Sequence, residues 1–138
     1  MIRQIQEEET HPLLPSGEWE GFYCYHFSSE QHSMYIELMF SDLVVSGSGV
    51  DDIALFTWTG KYDLEKFKIE MTKHYSTHKV WYKGDIDENG IWGIWKTGFL
   101  NGGFHIWPKK SKKETNSNAS EEQAESEKLK KLFTEIFA

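Results

Sequence analysis

From Gly17 to about Pro108, apolar and polar residues alternate in short runs separated by turn residues, and a two-residue period predicts β-strands. The clearest run is SMYIELMF, where Met34, Ile36, Leu38 and Phe40 fall on one face and Tyr35, Glu37 and Met39 on the other. A second, KFKIEMT, sets Phe67, Ile69 and Met71 against Lys66, Lys68, Glu70 and Thr72. One dry and one wet face per strand belongs to antiparallel sheets, because strands of a parallel sheet are covered on both sides. Six further runs read as strands: EWEGFYCYHF, LVVSGSG, LFTWTGKY, HKVWYKGDI, GIWGIWKTG and GFHIW.

The joins are short. DENG at 87–90 is the strongest turn signal, with Asn89 and Gly90 expected to take the positive φ of a type I′ hairpin, and LNGG at 100–103 is a second. Strands joined in sequence by tight turns make a meander, and about eight of them close most economically into a barrel that leaves no sheet edge exposed. An open sandwich is the alternative. The fold class expected is therefore all-β, an antiparallel meander closed into a barrel, followed by one C-terminal amphipathic helix.

Four segments follow from the pattern. Residues 1–16, acidic and interrupted by Pro12 and Pro15, form a strap; 17–110 are the barrel; 111–119 are a polar linker; 120–138 are the helix. Ser120 with Gln123 fits a capping box, and acids lead while Lys128, Lys130 and Lys131 follow, complementing the helix dipole. Leu129, Leu132, Phe133, Ile136 and Phe137 form one apolar stripe. That stripe covers either the chain's own barrel or another surface, including a second copy of the chain.

Composition narrows the classes of partner. A net charge of −7 lacks the basic surface that nucleic acid or anionic lipid requires, so neither nucleic acid nor membrane is an expected partner. Cys24 is the single cysteine, which rules out an intrachain disulfide and reads as a small buried hydrophobe. The N-terminal stretch lacks the basic start and apolar run of a signal peptide, and a cytoplasmic protein is the expectation. Aromatic residues make up 15% of the chain, well suited to twisted strands.

GEWEG at 17–21 carries the G-x-W that resembles the start of the calycin barrels: lipocalins, fatty-acid-binding proteins and avidins. In lipocalins this tryptophan closes one end of the barrel and a basic residue beyond the last strand lies against its ring. The resemblance implies that role for Trp19, with Lys109 or Lys110 as the cation. A lipocalin TDY-like motif is absent, and the biotin-contacting pattern of avidins has no counterpart here. A longer stretch, GKYD, KHYSTHKVWYKG, IWGIW and GGFHIWP, is similar to a pattern recurring in uncharacterised cytosolic β domains and implies no activity.

Candidate chemistry is sparse. His74, His78 and His105 lack metal-ligand spacing, so they read as surface or hydrogen-bonded histidines, and no metal or cofactor is expected. SGSG at 46–49 has no helix behind it to make a phosphate loop and reads as a bend or bulge. Asp51 and Asp52, adjacent and pointing apart, read as solvated loop carboxylates. The aromatic residues are the better candidates. Trp58, Tyr62, His78 and Tyr82, among Phe56, Phe67, Ile69 and Met71, form an apolar wall with polar tips, while Trp81 faces outward and Trp92 and Trp95 lie on opposite faces. Such a wall is either a filled barrel core or a ligand pocket. The leading expectation is a non-enzymatic barrel that binds a small, partly apolar ligand. A solid interaction module using Trp81 or the helix is the alternative, and a small barrel enzyme comes third.

Overall fold

The computed structural model describes residues 11–110 and 120–137. Eight strands run β1 (Gly17–Tyr25), β2 (His32–Ser41), β3 (Val44–Asp51), β4 (Leu55–Asp63), β5 (Lys68–His74), β6 (Lys79–Asp87), β7 (Gly90–Thr97) and β8 (Leu100–Pro108), and a helix α1 (Ser120–Phe137) follows. Every neighbouring pair is antiparallel, and β1 pairs with both β2 and β8, so the sheet closes on itself in sequence order. The expected all-β closed meander is the architecture. The open sandwich is excluded by the β1–β8 ladder, in which Trp19 faces Pro108 and Tyr25 faces Gly102.

Closure turns the two-residue period into an inside and an outside. Met34, Ile36, Leu38 and Phe40 are all buried in the interior, as their spacing predicts. Tyr35, on the opposite face, is also buried, and its cover is the helix: Leu129 packs with Tyr35 and Val50, and the Phe133 ring lies 5.4 Å from that of Tyr35. Lys109 with Glu127 (2.5 Å) and Lys130 with Glu18 (3.0 Å) tie the helix further to the wall. The helix therefore covers its own barrel with Leu129 and Phe133, while Leu132 and Ile136 remain exposed. Residues 1–10, the 111–119 linker and the side chains of Ser120, Gln123 and Phe137 lie outside the described residues. No helix among the described residues is long and apolar enough to cross a membrane.

Three local expectations are corrected. The β6–β7 turn is centred on Glu88 and Asn89, one residue earlier than expected, because the Asp87 carboxylate accepts the Asn89 N–H (2.8 Å) and Gly90 alone takes a positive φ, 113°. Any side chain at 90 would strike the Ile106 carbonyl. The last hairpin turns at Gly98 and Phe99, so LNGG lies within β8 instead of at a turn. SGSG is neither bend nor bulge, since β3 keeps an unbroken register with β2 and β4; its glycines make room instead. A Cβ on Gly49 would stand 2.7 Å from the Phe56 ring, so the missing side chain admits that ring to the core.

One end of the barrel is sealed. Leu14 and Trp19 are fully buried, Trp19 donates its indole N–H to the Pro15 carbonyl (2.8 Å), and Phe40 stands 5.6 Å from both Trp19 and Tyr62. The described end of the strap thus forms part of the core. If α1 covers the wall as described, Leu129→Ala lowers the unfolding free energy by about 2 kcal/mol, whereas Leu132→Ala on the exposed side of the same helix stays within about 0.5 kcal/mol; paired urea melts check the difference.

Candidate functional site

The opposite end of the barrel is open and holds a charge where alternation alone predicts packing. On β5 the inward row continues Ile69, Met71, Lys73, and Tyr75 follows just past the strand end. Lys73 is 1% exposed, and on β3 the inward row ends at Asp51, whose side chain is fully buried. Lys73 Nζ donates to Asp51 Oδ2 (2.7 Å), to the Tyr75 hydroxyl oxygen (3.1 Å) and to Met34 Sδ (3.3 Å). Tyr75 in turn donates to the same carboxylate oxygen at 2.5 Å. The other oxygen, Asp51 Oδ1, accepts the backbone N–H groups of Ile53 (2.9 Å) and Ala54 (3.1 Å), capping the β3–β4 turn.

Aromatic faces enclose the ammonium. Its distances to ring centroids are 4.4 Å for Phe56, 4.9 Å for Tyr23, 5.1 Å for Tyr75, 5.4 Å for Tyr82 and 5.7 Å for Trp58. Each ring presents the negative face of its quadrupole to the cation. Even so, burial is the larger influence on Lys73 and pulls its pKa below the ordinary lysine value against the opposing pull of Asp51 and Asp52. A buried ion pair of this kind is no efficient way to hold a barrel together, because apolar residues of equal volume are often as stabilising or better. Such pairs concentrate where chemistry or recognition occurs.

Above the pair a cleft of about 60 Å³ opens to solvent, lined by Tyr23, Tyr75, Tyr82, Trp95, Val80 and Lys73 among others. At roughly 10–15 Å³ per water it has room for about four waters, or for the end of a narrow organic molecule. A second polar set borders its rim: Tyr23 donates to Asp52 Oδ1 (2.6 Å), His32 Nδ1 lies 2.6 Å from Asp52 Oδ2, and the His32 ring stacks on Tyr23 at 4.8 Å. Burial raises the Asp52 carboxyl, but the hydrogen bonds from Tyr23 and His32 outweigh it and hold the pKa below the ordinary value.

The residues expected to bind ligand divide between the two ends. Tyr82 and His78 border the open cleft; Tyr82 is buried, and His78 is exposed in the β5–β6 turn, stacked 4.9 Å from Tyr75. Trp58 lies behind Lys73, where its indole Nε1 is buried with no hydrogen-bond partner among the described residues. Tyr62 belongs to the sealed end beside Phe40. Phe67, expected inward, is 38% exposed in the β4–β5 turn with φ 56°, because β5 begins at Lys68, two residues later than the expected run. Trp19 is buried at the sealed end, but the lysines do not lie over it. Lys109 pairs with Glu127, Lys110 is exposed, and the cation–ring contacts found among the described residues are those of Lys73.

Asp51 is likewise no solvated loop carboxylate; only Asp52 reaches solvent. The sequence pattern does not single out Lys73, because a lysine ending an alternating strand reads as surface. The available signal was its parity with Ile69 and Met71. The histidines do not converge, since His74 bonds Thr59, His78 bonds Thr77 and His105 bonds the Asn89 carbonyl. Trp81 is exposed, and Trp92 is exposed while Trp95 is buried, in agreement with their parities.

Fold and site together define a small closed antiparallel barrel, sealed at one end and carrying an aromatic cleft with a buried ion pair at the other. No protein-family model, curated protein or solved structure matches the chain.

Two predictions follow from the pair and its tyrosines. Lys73→Met leaves the buried carboxylate uncompensated and costs about 3–5 kcal/mol, while Lys73→Met combined with Asp51→Asn costs less than the sum of the single changes; a double-mutant cycle in urea measures the coupling. Burial is the largest cause raising the pKa of Tyr23, Tyr35, Tyr75 and Tyr82, so the fold holds their neutral phenols. Their contribution to stability is complete below the unfolded tyrosine value of about 10 and is lost as pH rises above it. Tyrosinate absorbance and far-ultraviolet circular dichroism, followed together in alkali, should change in one transition for these four residues.

Proposed function

We propose that this protein is a non-enzymatic, calycin-like binding barrel that takes a small, partly apolar molecule into the cleft at its open end. The observation that carries the reading is the Lys73–Asp51 pair, buried at the floor of a cleft whose walls are otherwise aromatic. A few placed polar groups within an apolar lining are the makeup of small-molecule sites. Below the pair the barrel is filled by Trp58, Ile36, Phe40, Tyr62 and Trp19, so the ligand is bound at the mouth and not along the barrel axis. Trp19 at the sealed end, entered through Gly17, supports the calycin-like relation. The lone thiol of Cys24 fits a cytoplasmic setting.

A second reading rests on the outer wall. Trp81 is 54% exposed beside a shallow groove of about 290 Å³ across β4, β5 and β6, bordered by Lys61, Glu70 and Lys83. An exposed tryptophan beside charges of both signs suits a protein partner, and the exposed Leu132 and Ile136 of α1 suit a second copy of the chain.

A panel of small aromatic alcohols, followed by quenching of tryptophan fluorescence and by thermal shift, tests the first reading. His78→Ala is expected to keep stability within about 0.5 kcal/mol and to weaken binding by about tenfold, the loss of one aromatic contact. Binding that is indifferent to His78 and to a Tyr82→Leu change would sink the cleft as the site.

A further inference from the structure

We infer that Lys73 is a covalent attachment site, its amino group condensing with the carbonyl of a small conjugated aldehyde that the cleft admits and the barrel then carries as a protonated imine. This rests on the cleft reading above and gives the ligand a chemical class. Four features of the site lead to it.

The first is access with dryness. Lys73 is 1% exposed yet borders the cleft, so a carbonyl carbon entering along the walls reaches Nζ and, once seated, displaces the few waters the cleft holds. Exclusion of water matters because imines hydrolyse. The second is a built-in proton acceptor. Passing one proton from Nζ to Asp51 Oδ2 over 2.7 Å converts two buried charges into a neutral amine and a neutral acid, with no net charge moved into or out of the core. The depressed pKa of the amine agrees with that transfer.

The third is charge conservation in the product. The nitrogen lone pair attacks the carbonyl carbon, forming the C–N bond, and the oxygen takes up a proton. The resulting hydroxyl leaves as water with a second proton. Tyr75, whose oxygen lies 2.5 Å from Asp51 Oδ2 and 3.1 Å from Nζ, is placed to relay these protons. In sum, one ammonium and one aldehyde give one protonated imine and one water, with no oxidant or reductant. The imine keeps the positive charge that Asp51 and the rings of Phe56, Tyr23 and Tyr82 already hold. Acylation or carbamylation of the same nitrogen would delete or reverse that charge and leave the buried carboxylate facing a neutral group or an anion.

The fourth is shape. A cleft of about 60 Å³ walled by Tyr23, Tyr75, Tyr82 and Trp95 has room for the end of a narrow chain, and its aromatic walls suit a planar one. Delocalisation of the imine charge along a conjugated chain spreads it over the same ring faces.

The test uses trans-cinnamaldehyde with the whole chain, sodium borohydride to reduce the imine to a stable secondary amine, and peptide mapping. Cinnamyl alcohol, which cannot condense, serves as the non-covalent control by fluorescence quenching. The expected result is a reduced adduct on Lys73, absent from Lys73→Arg and suppressed in the unaltered chain by prior cinnamyl alcohol. Should Lys73→Arg not fold, the suppression in the unaltered chain decides. Adducts confined to exposed lysines such as Lys79 and Lys83, with cinnamyl alcohol still quenching, overturn the covalent inference and leave cleft binding standing. No quenching and no Lys73 adduct overturn both.

Discussion

The β1–β8 ladder is the constraint on which the rest of this structure depends. Because β1 is hydrogen-bonded on both sides, the sheet has no edge and its inner face becomes an enclosed volume that alternate residues of eight strands must fill. Two of the large rings use inward positions that carry no side chain. Phe56 occupies the space that Gly49 leaves, and Trp95 that of Gly102. Closure also leaves a lysine at an inward position nowhere to go but into the core. Its length carries the ammonium past β4 to Asp51 on β3.

Asp51 joins local and global structure. One oxygen holds two backbone N–H groups of the β3–β4 turn, and the other holds Lys73 and Tyr75. A single side chain therefore shapes the loop beside the cleft and neutralises the cation on its floor. The adjacent Asp52 turns to Tyr23 and His32, so two neighbouring acids differ in burial and in role. The two barrel ends are as unlike as these two acids: apolar closure by Leu14 and Trp19 at one, paired charges within rings at the other.

Strand number, antiparallel order and the terminal helix were legible because each is written in a repeating period, whereas closure was favoured over an open sandwich by the tight sequential turns and is fixed by the β1–β8 ladder. The inward row of β2 and the outward exposure of Trp81 followed from parity alone. Errors arose where one residue's chemistry shifted a boundary. The Asp87 carboxylate moved the β6–β7 turn, and Phe67 at a positive φ ended a turn that the pattern had assigned to a strand. Of the expected ligand residues, Tyr82 and His78 reached the cleft, while Trp58 and Tyr62 lie deeper, because position along the barrel axis depends on strand stagger, which parity does not encode.

The sequence by itself determined the antiparallel strands and the inward row of the clearest of them, since both follow from local alternation and turn spacing. Only the tertiary structure decided that Lys73 and Asp51, 22 residues apart, meet in the core. It alone set which end of the barrel stays open. Lysine reads as surface in any local window; its burial here is dictated by closure, which leaves the inward ammonium only a carboxylate and aromatic faces as partners.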